Sequence, residues 1–220
     1  MLPFTREAFF AVFADYNAAI WPAQIGAYLI AAAAIALVFV RPGRRADLVM
    51  AGVLAVMWAW TGIGYHGLYF AVINPAAYVF GAGFVVEALV ILYCGWSGRL
   101  AFAPRQGWRT ALGLVLVAYA SVLYPALGIA LGEEWPALPM FGVTPCPLTI
   151  FTFGAFLLAR RPFPWVVLVV PLVWSVVGGS AALLLGVPQD WALLGSGVLM
   201  LMIAATRGVA APGSPEFRAG

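Results

Sequence analysis

Glu87 is the residue of this chain whose type and position most strongly indicate chemistry. It lies near the middle of an apolar run, residues 76–96, that is long enough to cross a lipid bilayer. A charged side chain at bilayer mid-depth costs roughly 2.5 to 3.5 kcal/mol on insertion scales, so a protein keeps one there when it faces the protein interior or a watery path. The low dielectric also disfavours the charged carboxylate. We therefore expect Glu87 to be protonated near neutral pH and to bind a proton or a small cation.

Because successive apolar runs cross the membrane in opposite directions, three more polar side chains lie towards the same side of the membrane: His66, Tyr124 and Gln24. Tyr124 directly precedes Pro125, a residue type that removes a backbone donor, frees one carbonyl and bends a helix. If their helices are neighbours, these side chains form a polar cavity with Glu87 at its floor. The sequence places them by depth alone, and it predicts this cavity as the binding site for an ion or a small solute.

Residues 144–147, with the sequence Thr-Pro-Cys-Pro, form the second segment of chemical interest. The two prolines are expected to interrupt the helix, which would leave free carbonyls beside the soft sulfur of Cys146. Cys146 and His66 are predicted to converge and to bind a transition-metal ion. Glu87 or the carbonyl of Thr144 would complete the ligand set, since metal sites in proteins usually have about three or four ligands. The alternative is a small buried cysteine at a helix entry.

The composition places these residues inside a membrane protein. Hydrophobic residues make up 65% of the chain and charged residues 9%, with a mean hydropathy of +1.02, whereas a soluble domain has about 25% charged residues. Apolar runs of roughly the length of a membrane span cover residues 18–40, 46–66, 76–96, 108–131, 144–159, 163–185 and 191–205. The sequence therefore predicts an all-α integral membrane protein in which a bundle of seven transmembrane helices forms one domain, residues 1–209.

The positive charges predict the orientation of this bundle. All 11 basic residues are arginines, and the chain has a formal net charge of +3. Most of them lie in alternate loops: Arg41, Arg44, Arg45, Arg99, Arg105, Arg109, Arg160, Arg161 and Arg207. Because loops rich in Lys and Arg stay in the cytoplasm, we expect the N-terminus outside and the C-terminus inside, in a bacterial cytoplasmic membrane. The charge thus reflects topology and indicates no nucleic-acid partner.

Both ends of the chain carry local signals. Phe9, Phe13 and Tyr16 recur at helical spacing behind Thr5, a residue type that caps helices well. This pattern predicts a short amphipathic helix on the outer surface or, as the alternative, an extension of the first span. Residues 210–220 are expected to be a disordered tail, in which the sequence Gly-Ser-Pro-Glu-Phe resembles a cloning-site remnant.

Small residues concentrate in the last two predicted spans: Ser175, Gly179, Ser180, Gly195, Ser196 and Gly197. Small side chains let helix backbones approach closely. These helices are therefore expected to pack tightly, either within the chain or between copies in a homo-oligomer.

Absent residue types narrow the choice of function. The chain has no lysine and one histidine, which excludes a retinal Schiff base and haem held by two histidines of one chain. Three classes of function fit the remaining residues: a channel or transporter with Glu87 as its ion-binding group, a membrane-embedded redox or cofactor-binding enzyme that uses His66 or Cys146, and an accessory or assembly subunit of a membrane complex. The isolated intramembrane carboxylate favours the first. The sequence does not identify the ion, solute or cofactor.

Two resemblances add to this reading of the residues. The Thr-Pro-Cys-Pro segment is similar to the intramembrane cysteine-proline motif of transition-metal-pumping P-type ATPases, in which the thiolate binds the ion, but the match ends with this segment. More broadly, the chain resembles a family of small bacterial multi-spanning membrane proteins that is catalogued as a domain of unknown function. The matching residues are Pro-Phe-Thr at 3–5, Tyr-Asn at 16–17, Trp-Pro at 21–22, Gly-Val-Thr-Pro-Cys-Pro at 142–147 and Phe-Thr-Phe-Gly at 151–154. This resemblance implies a single membrane domain and brings no assigned activity.

Overall fold

The computed structural model describes residues 3–159, 163–205 and 209–210, and nearly all of them are helical. The α-helices are, in chain order, α1 Arg6–Ile20, α2 Ala23–Val40, α3 Arg44–Trp60, α4 Ala77–Trp96, α5 Trp108–Ala118, α6 Tyr124–Ala130, α7 Pro145–Leu157, α8 Val169–Gly179, α9 Ala181–Leu184 and α10 Trp191–Ile203. Turns of π- or 3₁₀-helix extend several of them, at Thr61–Tyr69, Phe70–Val72, Tyr119–Leu123, Trp165–Leu168 and Pro188–Asp190. Two strands, β1 Phe163–Pro164 and β2 Val209–Ala210, pair in parallel.

Five helical stretches among the described residues are long and apolar enough to cross a membrane: Ala23–Val40, Arg44–Val72, Ala77–Trp96, Trp108–Ala130 and Trp165–Leu184. They confirm the prediction of a helical protein with segments that are long and apolar enough to span a membrane. The predicted spans 144–159 and 191–205 correspond to shorter helices, α7 and α10, of 13 residues each. A helix of that length rises about 20 Å, less than the roughly 30 Å of a bilayer core.

The short helix α7 forms the centre of the bundle. Each of its residues is buried, and helices α3, α5, α8 and α10 pack against it. A helix that is apolar on all sides is stable in such a position because it has no polar face to expose. This burial explains why the sequence of α7 resembles that of a membrane span.

The two prolines of the Thr-Pro-Cys-Pro segment do not interrupt this helix, so the predicted break is wrong. α7 begins at Pro145, and both prolines lie in its first turn, where a backbone N–H has no intrahelical partner to lose. The carbonyl of Thr144 accepts a hydrogen bond from Leu148 N at 3.4 Å. That of Pro145 accepts one from Thr149 Oγ1 at 2.8 Å. The carbonyls that were expected to be free therefore have donors within the chain.

Pro125 leaves a carbonyl without its usual donor, as predicted, and a side chain of another helix replaces that donor. The proline lacks the N–H that would bond to the carbonyl of Ser121 in the preceding turn. A π-helical turn, Tyr119–Leu123, comes just before it, and the hydroxyl of Tyr28 donates to Ser121 O at 2.8 Å. Because Tyr28 belongs to α2, this hydrogen bond joins two helices at the point where one of them is weakened.

Two pairs of glycines bring helix backbones into direct contact. A Cβ atom at Gly62 would lie 2.8 Å from Gly81 O, and one at Gly81 would lie 2.7 Å from Gly62 O. Similarly, a Cβ atom at Gly113 or at Gly154 would lie 2.8 Å from the carbonyl oxygen of the other residue. The first contact joins α4 to the π-helical turn after α3, and the second joins α5 to α7. Only glycine allows backbones to approach this closely.

The small residues of the last two predicted spans pack partly against each other. A Cβ atom at Gly197 of α10 would meet the Oγ atom of Ser175 of α8 at 2.1 Å. One at Gly179 of α8 would meet Cγ of Leu194 of α10 at 2.5 Å. Gly195 has no described atom within 4 Å of the corresponding position. The homo-oligomer through these helices therefore stays a prediction, for which Gly195 offers an open surface.

The N-terminal helix α1 is separate from the first long helix. It ends at Ile20, and α2 begins at Ala23, so the alternative of one extended span is wrong. Thr5 is the N-cap, as predicted, because its side chain accepts a hydrogen bond from Ala8 N at 3.2 Å.

Hydrogen bonds hold α1 against two loops at one end of the bundle, which we name the α1 end. Tyr16 OH donates to Val143 O at 2.9 Å, and Asn17 Nδ2 donates to two carbonyls of the loop 131–144. Arg6 Nε donates to Leu185 O at 2.9 Å in the loop 185–190. The loops 131–144 and 185–190 therefore lie together beside α1.

The opposite end of the bundle, which we name the arginine end, is held by charged side chains. The guanidinium of Arg44 donates to the carbonyls of Gly95 and Trp96, where the partial negative charge of the C-terminus of α4 favours a cation. Asp47 Oδ1 accepts a hydrogen bond from Phe102 N at 2.6 Å. The following residues lie outside the described part of the chain: Arg160, Arg161, Arg207 and residues 211–220 of the predicted tail.

Candidate functional site

Glu87 lies in the middle of α4 and is fully buried, with 0% of its surface exposed. It shares a helix face with Phe84 and Ile91, which are also buried, so its side chain faces the interior of the bundle. Neither carboxylate oxygen has a hydrogen-bond partner among the described residues. A buried carboxylate without donors is stabilised by taking up a proton or by binding a cation.

His66 is a second buried titratable group, on the π-helical turn after α3, and it is 0% exposed. Neither ring nitrogen has a hydrogen-bond partner within the described ranges. Its ring packs edge-on against Phe84 and Trp174, with centroid distances of 4.7 and 4.9 Å. A Cβ atom at Gly81 would lie 3.3 Å from His66 Cβ. Gly81 precedes Glu87 by about 9 Å along α4, so His66 and Glu87 lie at successive depths beside one helix.

Gln24 does not join these two groups. It is buried, and its Nε2 atom donates to Asn17 O at 3.0 Å and to Asn17 Oδ1 at 3.2 Å. These hydrogen bonds connect α2 to α1 next to the contacts that Asn17 makes with the loop 131–144. Gln24 therefore helps to hold α1 in place, and its predicted role in binding an ion stays without support from its contacts.

Tyr124 and Cys146 meet at a carboxylate that the sequence analysis did not single out, that of Asp190. Tyr124 OH donates to Asp190 Oδ1 at 2.6 Å, and the Cys146 thiol also hydrogen-bonds to this carboxylate. All three side chains are buried, and Asp190 is only 1% exposed. A phenol, a thiol and a carboxylate thus form one buried polar cluster at the α1 end.

Burial governs the protonation of this cluster. It raises the pKa of Asp190 to about 7, although the hydrogen bonds from Tyr124 and Cys146 favour the charged form. The nearby carboxylate of Glu133 raises this pKa further, because a second negative charge disfavours ionisation. The pKa of Glu133 is itself raised by burial, against a hydrogen bond from Gln189. Asp190 can therefore gain or lose a proton close to neutral pH.

A cavity of about 150 Å³ lies beside Cys146 at the α1 end. Aromatic rings form much of its lining: Phe4, Phe9, Phe13, Tyr65, Phe70 and Phe80. Trp174 lines it as well, whereas Glu87 and His66 do not. The Trp174 indole lies close to the thiol, but its Nε1 atom makes no hydrogen bond to any described residue. This cavity is mostly apolar and so differs from the polar cavity predicted with Glu87 at its floor.

Trp174 contacts both predicted metal ligands, the ring of His66 and the thiol of Cys146. Within the described ranges, no group of three or more His, Cys, Asp or Glu side chains could hold a metal ion. Cys94 and Cys146 are both free thiols. The metal site at Cys146 and His66 stays a prediction.

Asp190 was missed because its sequence position is typical of a loop residue. It is the N-cap of α10, where an aspartate usually accepts a hydrogen bond from the helix backbone. Its side chain makes no such capping bond and turns to Tyr124 instead. The segment between α9 and α10 is short and has few polar residues, which is the one sign in the sequence that Asp190 is poorly solvated.

All these groups lie in a region of the chain that matches the model of a protein family. Residues 6–211 match a family of unknown function (DUF6064). The chain belongs to this family. The match confirms the resemblance to a domain of unknown function, and it includes Glu87, His66 and the buried cluster around Asp190. A search of curated proteins and a search of solved structures found no match for this DUF6064 chain.

We expect Asp190→Asn to remove a pH dependence from the stability of this DUF6064 protein. The pKa of Asp190 rises from its ordinary value of 3.8 to about 7 in the folded protein, so the folded state keeps a proton that the unfolded state releases. The resulting stabilisation is complete below about pH 4 and is lost as pH rises to about 7, by up to about 1.4 kcal/mol per pH unit. Thermal unfolding in detergent, measured for both proteins across this range, tests the difference.

Asp15→Asn is the matched control, because Asp15 is exposed on α1. This variant should keep the pH profile of the parent, whereas Asp190→Asn should gain stability relative to the parent as pH rises. Parallel profiles for Asp190→Asn and the parent would contradict the assignment of a proton to Asp190.

Proposed function

We propose that this chain is a membrane channel or transporter that moves a proton or another small cation, with Glu87 as the binding group. The observation that carries the proposal is the fully buried carboxylate of Glu87, which has no hydrogen-bond partner among the described residues. It lies halfway along a helix that is long and apolar enough to cross a membrane. Such a group is costly to bury, and ionisable residues at this depth are typical of ion and proton pathways.

The positions of other titratable groups support a path along α4. His66 lies nearer the α1 end, beside Gly81, and neither nitrogen of its imidazole has a hydrogen-bond partner among the described residues. Cys94 is buried on the same face of α4 as Glu87, two turns closer to the arginine end. Trp174 links this line to the cavity, because its ring contacts His66 and also lines the cavity. The proposed path leads from the α1 end past His66 to Glu87 and on towards the arginine end.

The proposal includes a topology of seven spans in a bacterial cytoplasmic membrane, with the N-terminus outside. In it, α7 and α10 are the two short spans. The helices around α7 bury it completely, whereas Val198, Leu201 and Met202 of α10 are exposed. Residues 41–45 and 97–107, which contain most of the described arginines, lie at the arginine end, where Arg44 bonds to the end of α4. The positive-inside rule assigns that end to the cytoplasm.

Cation flux into liposomes tests the function directly. Purified protein is reconstituted into liposomes that contain a pH-sensitive dye, and a potassium gradient with valinomycin supplies the driving force. Parallel samples follow the uptake of radioactive sodium and rubidium. We expect at least one of the three cations to enter faster than into protein-free liposomes. If none of the three cations entered faster than into protein-free liposomes, this result would contradict the proposal. It would favour the alternatives, a membrane-embedded redox enzyme or an accessory subunit.

A further inference from the structure

We propose that the cation moved past Glu87 is a proton, and that the ring of Phe84 is the barrier that keeps water and other cations away from Glu87. This inference rests on the proposed function, because it names the cation that the path carries and the residue that selects it. Two observations support it: the position of Phe84 between His66 and Glu87, and the small number of unpaired oxygen atoms in this part of the bundle.

Phe84 lies between His66 and Glu87 along α4. His66 packs beside Gly81. Phe84 follows Gly81 by about 4.5 Å along the helix axis, and Glu87 follows it by about 9 Å. Side chains of a helix lean towards its N-terminus, so the carboxyl group of Glu87 leans towards Phe84. The ring of Phe84 in turn contacts the imidazole of His66, with a centroid distance of 4.7 Å. A cation that follows the proposed path past His66 to Glu87 therefore has to pass this ring.

Two tryptophans hold Phe84 in place. Its ring packs against that of Trp58 of α3 at 4.4 Å and against that of Trp174 of α8 at 5.2 Å. Both Phe84 and Trp58 are fully buried, with 1% and 0% of their surfaces exposed. A buried water needs two to four polar partners, and packed rings offer few. These three rings therefore separate Glu87 from water on the side of His66.

The oxygen atoms in this part of the bundle suit a proton better than a metal cation. A sodium or potassium ion leaves water only where several oxygens replace its hydration shell. Among the described residues, the buried side-chain oxygens without a partner belong to Glu87, Thr61, Gln24 and Gln189. The two glutamines lie at the α1 end, where both contact other side chains. Glu87 and Thr61 offer three oxygens, which is too few for such a shell, whereas a proton binds to a single oxygen.

Infrared spectroscopy of the purified protein in detergent tests the bound proton without any measurement of flux. A protonated carboxyl group has a C=O stretching band that a carboxylate lacks, and the band that is missing in Glu87→Gln belongs to Glu87. We expect this band in the parent at neutral pH, equally strong in sodium, potassium and choline salts. No such band, or a band that sodium or potassium removes, would overturn the proton as the bound cation.

Flux into liposomes separates this inference from the proposed function. We expect protons to enter, while sodium and rubidium enter no faster than into protein-free liposomes. Uptake of sodium or rubidium by the parent would overturn the inference and leave the proposed function standing. The absence of all three fluxes would contradict the proposed function, and the inference with it.

Phe84→Ala tests the barrier, and Phe151→Ala is the matched control. Both phenylalanines lie within a helix and are 1% exposed, so both variants remove a ring from a buried position. The ring of Phe151 in α7 packs against Phe141 of the loop 131–144 and does not belong to the proposed path. The difference between the variants therefore reports the position of Phe84 and not the loss of a ring as such.

In Phe84→Ala, water is expected to fill the space of the ring. The unpaired polar atoms of His66, Thr61 and Glu87 give this water hydrogen-bond partners. After transfer to D₂O, the carboxyl proton of Glu87 should exchange about tenfold faster than in the parent, a change that corresponds to about 1.4 kcal/mol in activation free energy. Proton flux should rise as well. Phe151→Ala should keep the parental exchange rate and the parental flux.

Equal exchange rates in Phe84→Ala and the parent would overturn the role of Phe84, and so would an equal acceleration in both variants. Thermal unfolding shows whether each variant is folded. If Phe84→Ala does not fold, Phe84→Leu and Phe151→Leu replace the pair. The same order of exchange rates is then required, because leucine is smaller than phenylalanine and has no ring.

Discussion

Glu87→Gln is expected to reduce cation flux to the level of protein-free liposomes while the protein remains folded. Glutamine has nearly the same size as glutamic acid, but it cannot release a proton and carries no charge for a cation. Because neither oxygen of Glu87 has a hydrogen-bond partner among the described residues, the exchange breaks no contact within the bundle. The measurement is the flux of protons, sodium and rubidium, with thermal unfolding in detergent as the test of folding.

The matched control for this variant is Glu133→Gln. Glu133 is a carboxylate as well, but it is only partly buried, lies in a loop at the α1 end and accepts hydrogen bonds from Gln189 at 3.2 Å. This variant should therefore keep most of the parental flux. Parental flux in Glu87→Gln would rule out Glu87 as the group that binds the cation. Equal loss in both variants would mean that the effect is not specific to the carboxylate in α4.

The largest expected loss of stability is at the contact between α5 and α7, in the variant Gly154→Val. A Cβ atom at Gly154 would lie 2.8 Å from Gly113 O and 3.0 Å from Val117 N, and backbone atoms cannot move aside as a flexible side chain can. Overpacking in a well-packed core costs about 1 to 3 kcal/mol and occasionally more. We expect Gly154→Val to lower the free energy of unfolding in detergent by an amount at or above the upper end of this range.

Gly52→Val provides the control for this prediction. Gly52 lies within α3, and a Cβ atom there would have no described atom within 4 Å. Both variants introduce the same β-branched side chain into a helix, so the difference between them measures the helix contact alone. Equal stabilities of the two variants would contradict the direct backbone contact between Gly113 and Gly154.

Much of the fold could be predicted from local properties of the sequence. Apolar runs interrupted by arginine-rich loops are local patterns, and the five longest helical stretches among the described residues follow them. Thr5 was correctly predicted as the N-cap of α1. The burial of Glu87 was also predictable, because its neighbours on either side in the sequence are apolar over the length of a span.

Predictions that needed a neighbouring element were less successful. The prolines at 145 and 147 were expected to break a helix, but their place in its first turn makes their missing N–H groups harmless. The glycines expected to matter most were those of the last two spans. The reciprocal backbone contacts are instead between Gly62 and Gly81 and between Gly113 and Gly154, because a glycine is essential only where another helix crosses it.

The sequence by itself determined that the chain is mostly helical, that it contains segments apolar enough for a membrane, and that Glu87 is buried. Only the tertiary structure decided that Asp190 meets Tyr124 and Cys146, and that Trp174 contacts both His66 and Cys146. The physical reason is that hydrophobicity and helical periodicity act over one or two turns of a chain. The hydrogen bond between Tyr124 and Asp190 joins residues 66 positions apart, and such a contact depends on how the helices pack.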